Sequence, residues 1–139
     1  MSPLERVAGR PTWLLSRANA RAQALLAAGF AAEGFRGYEY RLLAALDQYG
    51  PGSQADLGRH TGIDRSDVVA ALNELAAGGF IRRDPDPADR RRNVVSITRN
   101  GRRALDRLDT VLDGVQEAVL EPLSAKDRAT LVRLLTRLG

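Results

Sequence analysis

The amino-acid sequence predicts a mainly α-helical fold with one small β-hairpin. Apolar residues recur with helical spacing over most of the 139-residue chain, which has the length of a single domain. After Gly79, two short runs rich in β-branched residues have the two-residue period of a β-strand. Helical spacing of apolar residues returns beyond Thr98. These observations predict helices on both sides of the hairpin.

Composition excludes several classes of protein. The chain has no cysteine and one histidine, His60, so thiol chemistry is excluded and a transition-metal cluster lacks ligands. No apolar run reaches the roughly 20 residues of a membrane helix, and the first ten residues lack the apolar stretch of a signal peptide. We therefore expect a cytoplasmic protein with no cofactor, no bound metal and no membrane partner.

Positive charge is concentrated in one segment. The chain carries 21 basic and 17 acidic residues, a net charge of +4. Eight arginines and three aspartates lie between Arg82 and Arg103, so this segment alone carries +5 and the remainder is nearly neutral. Such a segment favours an anionic partner.

The first two predicted helices are separated by a connection that contains glycine. Helical spacing predicts a first helix from about residue 13 to Gly29, where the glycine is expected to end it. Residues 30–37 are expected to form the connection. A second helix is predicted over residues 40–49, and it ends at Gly50-Pro51-Gly52 because proline cannot continue a helix.

Two short helices with clear start signals follow. Ser53, with Asp56 three residues later, has the spacing of a capping box, and the helix that it starts ends near Gly62. Asp64 and Asp67 repeat that spacing before a second helix, which ends at two consecutive glycines. A short helix, a turn with glycine and a second helix together predict a helix-turn-helix.

The hairpin and two further helices complete the chain. Residues 80–83 and 94–98 predict two strands joined by a long basic tip. Thr98 is expected to cap a long helix that Pro122 stops, and Ser124 to cap the last one. Apolar residues at coiled-coil spacing mark the long helix: Leu105, Leu108, Leu112, Val115 and Val119. The last helix has an apolar stripe of Leu131, Leu134, Leu135 and Leu138.

A helix-turn-helix followed directly by a basic hairpin is a winged helix-turn-helix, an arrangement suited to double-stranded DNA. The second helix fits the major groove, where base edges are distinguishable. The arginine-rich wing follows the backbone or enters the minor groove. Leucine-rich helices at both ends exceed what a winged-helix core needs, so we expect a homodimer that covers them; packing on their own domain is the alternative.

The residues of the wing resemble those of the MarR family of bacterial transcriptional regulators. The resemblance extends over residues 13–138 and is carried by residues 80–83 (FIRR), 86–91 (DPADRR), 94–98 (VVSIT) and Gly101. It implies a homodimer that binds a pseudo-palindromic operator and usually represses transcription. It also implies that, as in many members, binding of a small molecule releases the protein from DNA. Without cysteine, the thiol mechanism of peroxide-sensing members is excluded.

The resemblance implies one domain over residues 1–139. Its DNA-binding part spans about 38–98, and its dimerisation helices span about 11–30 and 99–139. This is a mainly α-helical winged helix-turn-helix with N- and C-terminal dimerisation helices.

DNA contacts are predicted at the start and outward side of the second helix, at the start of the first, and in the wing. The predicted residues are Ser53, Gln54, Arg65, Ser66, Asp67, Val69, Ala70, Asn73, Arg90, Arg91 and Arg92. Arg65 is expected to bind guanine, and Asn73 to pair with adenine or bond a phosphate. Val69 and Ala70 stand where the family often has Thr and Arg, which favours contact with thymine methyl groups.

Alternatives remain open at several of these positions. Asp67 is expected either to accept a hydrogen bond from cytosine, or to cap the helix or form an ion pair with a wing arginine. Ser53 and Gln54 cap their helix or contact phosphate. At least one wing arginine is expected to pair with Asp86 or Asp89, and these aspartates lack the glycine and glutamate of a calcium loop.

An effector pocket is predicted where aromatic residues concentrate near the first helix. The candidate ligand-binding residues are Trp13, Arg17, Phe30, Phe35, Tyr38 and Tyr40. Aromatic rings with an arginine suit a planar organic acid, and core or dimer packing is the alternative. We therefore predict a ligand-responsive regulator; a constitutive or architectural DNA-binding protein without an effector is the alternative. An enzyme is not expected, because nucleotide-binding glycine motifs and acid pairs are missing.

Overall fold

The computed structural model describes residues 4–139. Within this range the chain forms six helices and one two-stranded sheet, which confirms the predicted fold class. The elements are α1 (Pro11–Ala32), α2 (Gly37–Tyr49), α3 (Gln54–Thr61), α4 (Arg65–Ala77), β1 (Ile81–Pro85), β2 (Asn93–Ile97), α5 (Arg99–Leu120) and α6 (Ala125–Leu138). No helix among the described residues has the length and apolar character needed to cross a membrane.

Local hydrogen bonds set the helix-turn-helix boundaries that the sequence predicts. The Ser53 hydroxyl accepts from the Asp56 backbone N–H, and the Asp56 carboxylate accepts from the Ser53 N–H, both at 3.1 Å. Hydrogen bonding of the Asp56 carboxylate to the backbone N–H and the side chain of Ser53 lowers the pKa of Asp56. Gly62 ends α3 in the left-handed conformation, with φ of 68°. Asp64 caps α4 through the Ser66 N–H rather than through a box with Asp67.

The first helix differs from its prediction. It continues through Gly29 to Ala32, so the predicted stop at Gly29 and the connection over residues 30–37 were wrong. Gly29 lies against α5, where an added Cβ would be 2.9 Å from a Val115 methyl group. The glycine therefore permits close helix packing instead of ending the helix. The true connection is residues 33–36, and α2 begins at Gly37 because Glu39 accepts from the Arg36 N–H.

The core lies between α2, α3, α4, α5 and the hairpin. Its most buried side chains, each less than 2% exposed or close to it, are Leu42, Leu43, Leu46, Leu57, Val68, Leu72, Leu75, Val95 and Leu108. The strands are antiparallel, and Ile81 pairs with Ile97 at the base of the hairpin. Val95 also exchanges two backbone hydrogen bonds with Gly52, of 3.1 and 2.8 Å. This bridge fixes the wing to the start of the helix-turn-helix.

The first and last helices both form hydrogen bonds with the C-terminal end of α5. Arg21 of α1 donates to the Val119 and Ala118 carbonyls at 2.8 Å, and Arg128 of α6 donates to the Leu120 carbonyl at 3.1 Å. These arginines satisfy carbonyls that lack helical partners at the end of α5. Nevertheless α6 contains no buried residue within the described chain, and three of its leucines, Leu134, Leu135 and Leu138, are exposed.

Candidate nucleic-acid interface

The wing and the helix-turn-helix border one cleft of about 720 Å³. Its floor is apolar and its rim is basic. The floor consists of Ile63, Val68, Leu72 and Val95, and the rim carries Arg59, Arg65, Arg83, Arg91 and Arg92. The cleft exists because the bridge between Gly52 and Val95 holds the hairpin beside α3 and α4.

The structure divides the predicted DNA-binding residues between this cleft and its surroundings. Ser53, Gln54, Arg65, Arg91 and Arg92 line the cleft. The remaining α4 residues Ser66, Val69, Ala70 and Asn73 are exposed, as is Arg90 at the wing tip. Among the exposed α4 residues, Ser66 and Asn73 offer hydrogen bonds, and Val69 and Ala70 offer apolar contact.

Two arginines of the rim are outside the set of predicted DNA-binding residues. Arg59 lies on α3 and pairs with Asp56, and Arg83 lies on β1. The signal for Arg83 was present, since alternate residues of a strand share a face and Ile81, two positions earlier, is buried.

Ser53 caps its own helix in this structure. It is 7% exposed, and its hydroxyl oxygen accepts from the Asp56 N–H. Gln54 is half-buried on the cleft wall. The capping alternative therefore describes Ser53, while Gln54 retains an accessible position at the N-terminus of α3.

The wing tip is held by its own aspartates. Arg91 donates to both oxygens of Asp89, at 3.1 and 3.3 Å, which confirms the predicted pairing. These hydrogen bonds lower the pKa of Asp89. Asp86 accepts from the Ala88 N–H at 2.9 Å and closes the same loop. These hydrogen bonds join the arginine-rich tip to its own aspartates.

Within residues 4–139, Asp67 does not form the ion pair with a wing arginine that was one of the alternatives predicted for it. It lies half-buried in the first turn of α4. The wing contacts α4 elsewhere, because the Arg83 guanidinium donates to the Asn73 side-chain oxygen at 2.7 Å. That bond joins β1 to the exposed face of α4.

His60 is exposed on α3 and stacks on Tyr49, with ring centroids 3.9 Å apart. Among residues 4–139, no group of three or more potential ligands could hold a metal ion.

The six predicted ligand-binding residues do not surround one cavity in the single chain. Phe30 and Phe35 belong to the core, where Phe30 stacks on Tyr40 at 5.3 Å and Phe35 packs against Phe80 at 4.9 Å. Burial and a 2.7 Å hydrogen bond to Asp109 raise the pKa of Tyr40 to about 12.

The other three candidates are exposed. Tyr38 lies under the Arg41 guanidinium, whose central carbon is 5.1 Å from the ring centre. Trp13 and Arg17 lie on the exposed first half of α1. Core packing therefore accounts for Phe30, Phe35 and part of Tyr40. Trp13, Arg17 and Tyr38 are accessible to solvent or to a second chain.

Comparison with known proteins identifies relatives of this fold. A family model described as MarR family matches residues 34–92. The chain is 30% identical over 100 residues to the HTH-type transcriptional repressor NicR of Pseudomonas putida, which covers 72% of this chain and 63% of that protein. The chain spans 32–63% of the length of the curated relatives that it matches.

Solved structures match over almost the whole chain. A "probable transcriptional regulator" from Pseudomonas aeruginosa is 33% identical, with a TM-score of 0.82, covering 94% of this chain and 98% of that one. A structure on the regulation of DNA binding of Bordetella bronchiseptica BpsR by 6-hydroxynicotinic acid is 25% identical, with a TM-score of 0.81 and coverage of 95% and 94%. These relatives are regulators of transcription and not enzymes. By its winged helix, its family match and this likeness over 94% of its length, the chain belongs to the MarR family.

Proposed function

We propose that the protein is a transcriptional regulator that binds a pseudo-palindromic DNA operator as a homodimer. The observation that carries this proposal is the cleft between the wing and α4, whose rim brings five arginines together. Within residues 4–139, Arg65, Arg83 and Arg92 form no salt bridge with a carboxylate. Their charge is therefore available to phosphates, which supply most of the affinity for DNA.

The exposed face of α4 supports sequence-specific binding. Arg65 stands at its first turn, where it can donate two hydrogen bonds to guanine. Val69, 38% exposed, and Ala70 offer methyl groups to thymine. An acidic residue, Asp67, is turned half inward in the same turn, which reduces its repulsion of phosphate.

Dimerisation is supported by the apolar residues that the single chain leaves uncovered. On α6, Leu134 and Leu135 are each 44% exposed and Leu138 is 73% exposed. On α1, Trp13, Leu14 and Leu15 are also exposed. Exposed large apolar side chains on both terminal helices are typical of an interface. Pairing would set two recognition helices about 34–36 Å apart, the spacing of successive major grooves.

Replacing Leu135 with aspartate is expected to convert the dimer into a monomer. A charge in the centre of an apolar interface loses its hydration, which costs more than the contact that it replaces. Sedimentation equilibrium measures the change in mass, and Thr136→Asp, on the opposite face of α6, is the matched control. A wild-type protein that sediments as a monomer, or a Leu135→Asp variant that stays dimeric, would contradict the proposed interface.

We further propose that the protein is a repressor released by a planar aromatic acid. NicR is named a repressor, and the BpsR structure concerns regulation of DNA binding by 6-hydroxynicotinic acid. Trp13, Arg17 and Tyr38 remain candidates for the pocket, since they are exposed on α1 and at the start of α2. A ligand can release DNA only if it binds the free form more tightly than the DNA-bound form.

The test begins with selection of genomic fragments that the purified protein retains. Inverted repeats are expected among them, and 6-hydroxynicotinic acid and other aromatic carboxylates are then titrated against the complex. A fall in DNA affinity of at least tenfold supports effector control. If fragments are retained but no acid weakens binding, the constitutive DNA-binding alternative holds. If no duplex is preferred at low salt, the regulatory function itself is refuted.

A further inference from the structure

We propose that Arg83 and Asn73 act together as one guanine-reading unit, in which the arginine fixes the orientation of the amide. This inference rests on the proposed function, because it names the base that the same interface selects. Neither residue acts alone, since one lies on the wing and the other on the recognition helix.

The contact is a single hydrogen bond across two elements. Arg83 Nη2 donates to Asn73 Oδ1 at 2.7 Å, and both side chains are exposed. Arg83 lies on the strand face that Ile81 shares, and Ile81 is 4% exposed against the helices. The strand alternation therefore directs Arg83 toward α4. Its neighbour Arg82 lies on the other face, where it donates to Asp84 at 2.8 Å.

The chemistry of the pair determines which way the amide faces. A guanidinium carries only donors, so the group that faces Arg83 must be the amide oxygen. The NH2 group of Asn73 then faces away from the arginine. The remaining N–H groups of Arg83 are donors as well. While this bond is intact, one of the two lone pairs of the Asn73 oxygen is occupied, and the pair presents mainly donors to its surroundings.

This set of groups discriminates between the two purines. Guanine presents two adjacent acceptors in the major groove, N7 and O6, whereas adenine presents an acceptor and a donor. A free asparagine reads adenine because it can offer both a donor and an acceptor. In Asn73 held by Arg83, the oxygen is turned toward the arginine and one of its lone pairs is occupied, so the donors of the pair favour guanine and adenine must share the oxygen with Arg83. Pairing with adenine, which the sequence alone suggested, is therefore disfavoured.

Selection of random duplexes by the full-length protein tests the inference. Wild type is expected to enrich guanine at one symmetry-related position of each half-site. Asn73→Ala is expected to lose the preference for guanine over adenine there by about tenfold, a typical value for one bidentate contact. Arg83→Gln is expected to lose it as well, and adenine should rise because the Asn73 oxygen is released.

Arg82→Gln is the matched control, because it removes the same charge from the same strand and leaves the pair intact. It should retain the wild-type base preference. Circular dichroism of all variants checks that the exposed substitutions leave the fold unchanged.

Two results would overturn the inference while leaving the proposed function in place. One is an unchanged base preference in Asn73→Ala. The other is an equal loss of affinity for every sequence in Arg83→Gln, accompanied by a shallower salt dependence, which would show that the pair binds phosphate. Wild-type protein that enriches no sequence would refute the proposed function and the inference together.

Discussion

Replacing Gly101 with alanine is expected to lower the free energy of unfolding by about 2–3 kcal/mol, the range of overpacked cores. Gly101 lies in the first turn of α5, and its N–H donates to the Thr98 hydroxyl oxygen at 3.1 Å. An added Cβ would lie 2.1 Å from the Phe80 carbonyl oxygen. That oxygen already accepts from the Thr98 N–H at 3.1 Å, so it cannot move without opening the base of the wing.

Urea unfolding measures this loss, and a fall in melting temperature of about 10 °C should accompany it. Gly114→Ala on the same helix is the matched control, because nothing lies within 4 Å of the position where its Cβ would be. There, alanine should raise stability by about 0.5–1 kcal/mol through its higher helix propensity. Equal stability of the two variants would contradict the close approach of α5 to the wing.

Replacing Arg91 and Arg92 with alanine is expected to weaken operator binding about a thousandfold at physiological salt, if each arginine of a dimer neutralises one phosphate. Both line the cleft, whereas Arg90 lies outside its lining. The plot of log affinity against log salt should become shallower by about 3–4 units for the four charges lost. Fluorescence anisotropy over a series of salt concentrations measures both quantities.

Arg41→Ala combined with Arg82→Ala controls for net charge. This control removes two positive charges per chain from positions that do not line the cleft. Its affinity should stay within a few-fold of wild type. Similar losses in the two double variants would show that overall charge, and not the cleft, determines DNA binding.

The helix-turn-helix could be predicted because its signals are local. The Ser53 and Asp56 box and the Gly62 stop act over three to nine residues, so their geometry depends little on the rest of the chain. The hairpin was likewise predicted from strand periodicity. Gly29 was misread because a glycine in a helical pattern can end the helix or admit a neighbour, and the neighbour is Val115, distant in sequence.

The candidate ligand-binding residues were also misread because their contacts are distant in sequence. Their composition suggested one pocket, but the partners that hold Phe35 and Tyr40 are Phe80 and Asp109. Those partners are 45 and 69 positions away, so no spacing rule could pair them. Burial of these rings in the core depends on how α2, α4 and α5 pack.

The sequence by itself determined the order of the elements, the caps that start them and the excess of arginine in the wing. Hydrogen bonds over a few residues and the periodicity of apolar side chains are sufficient for this. Only the tertiary structure decided that Arg59 and Arg83 join the basic rim and that the Asn73 oxygen accepts from Arg83. These contacts join separate elements, and their distances follow from the packing of helices and hairpin on one core.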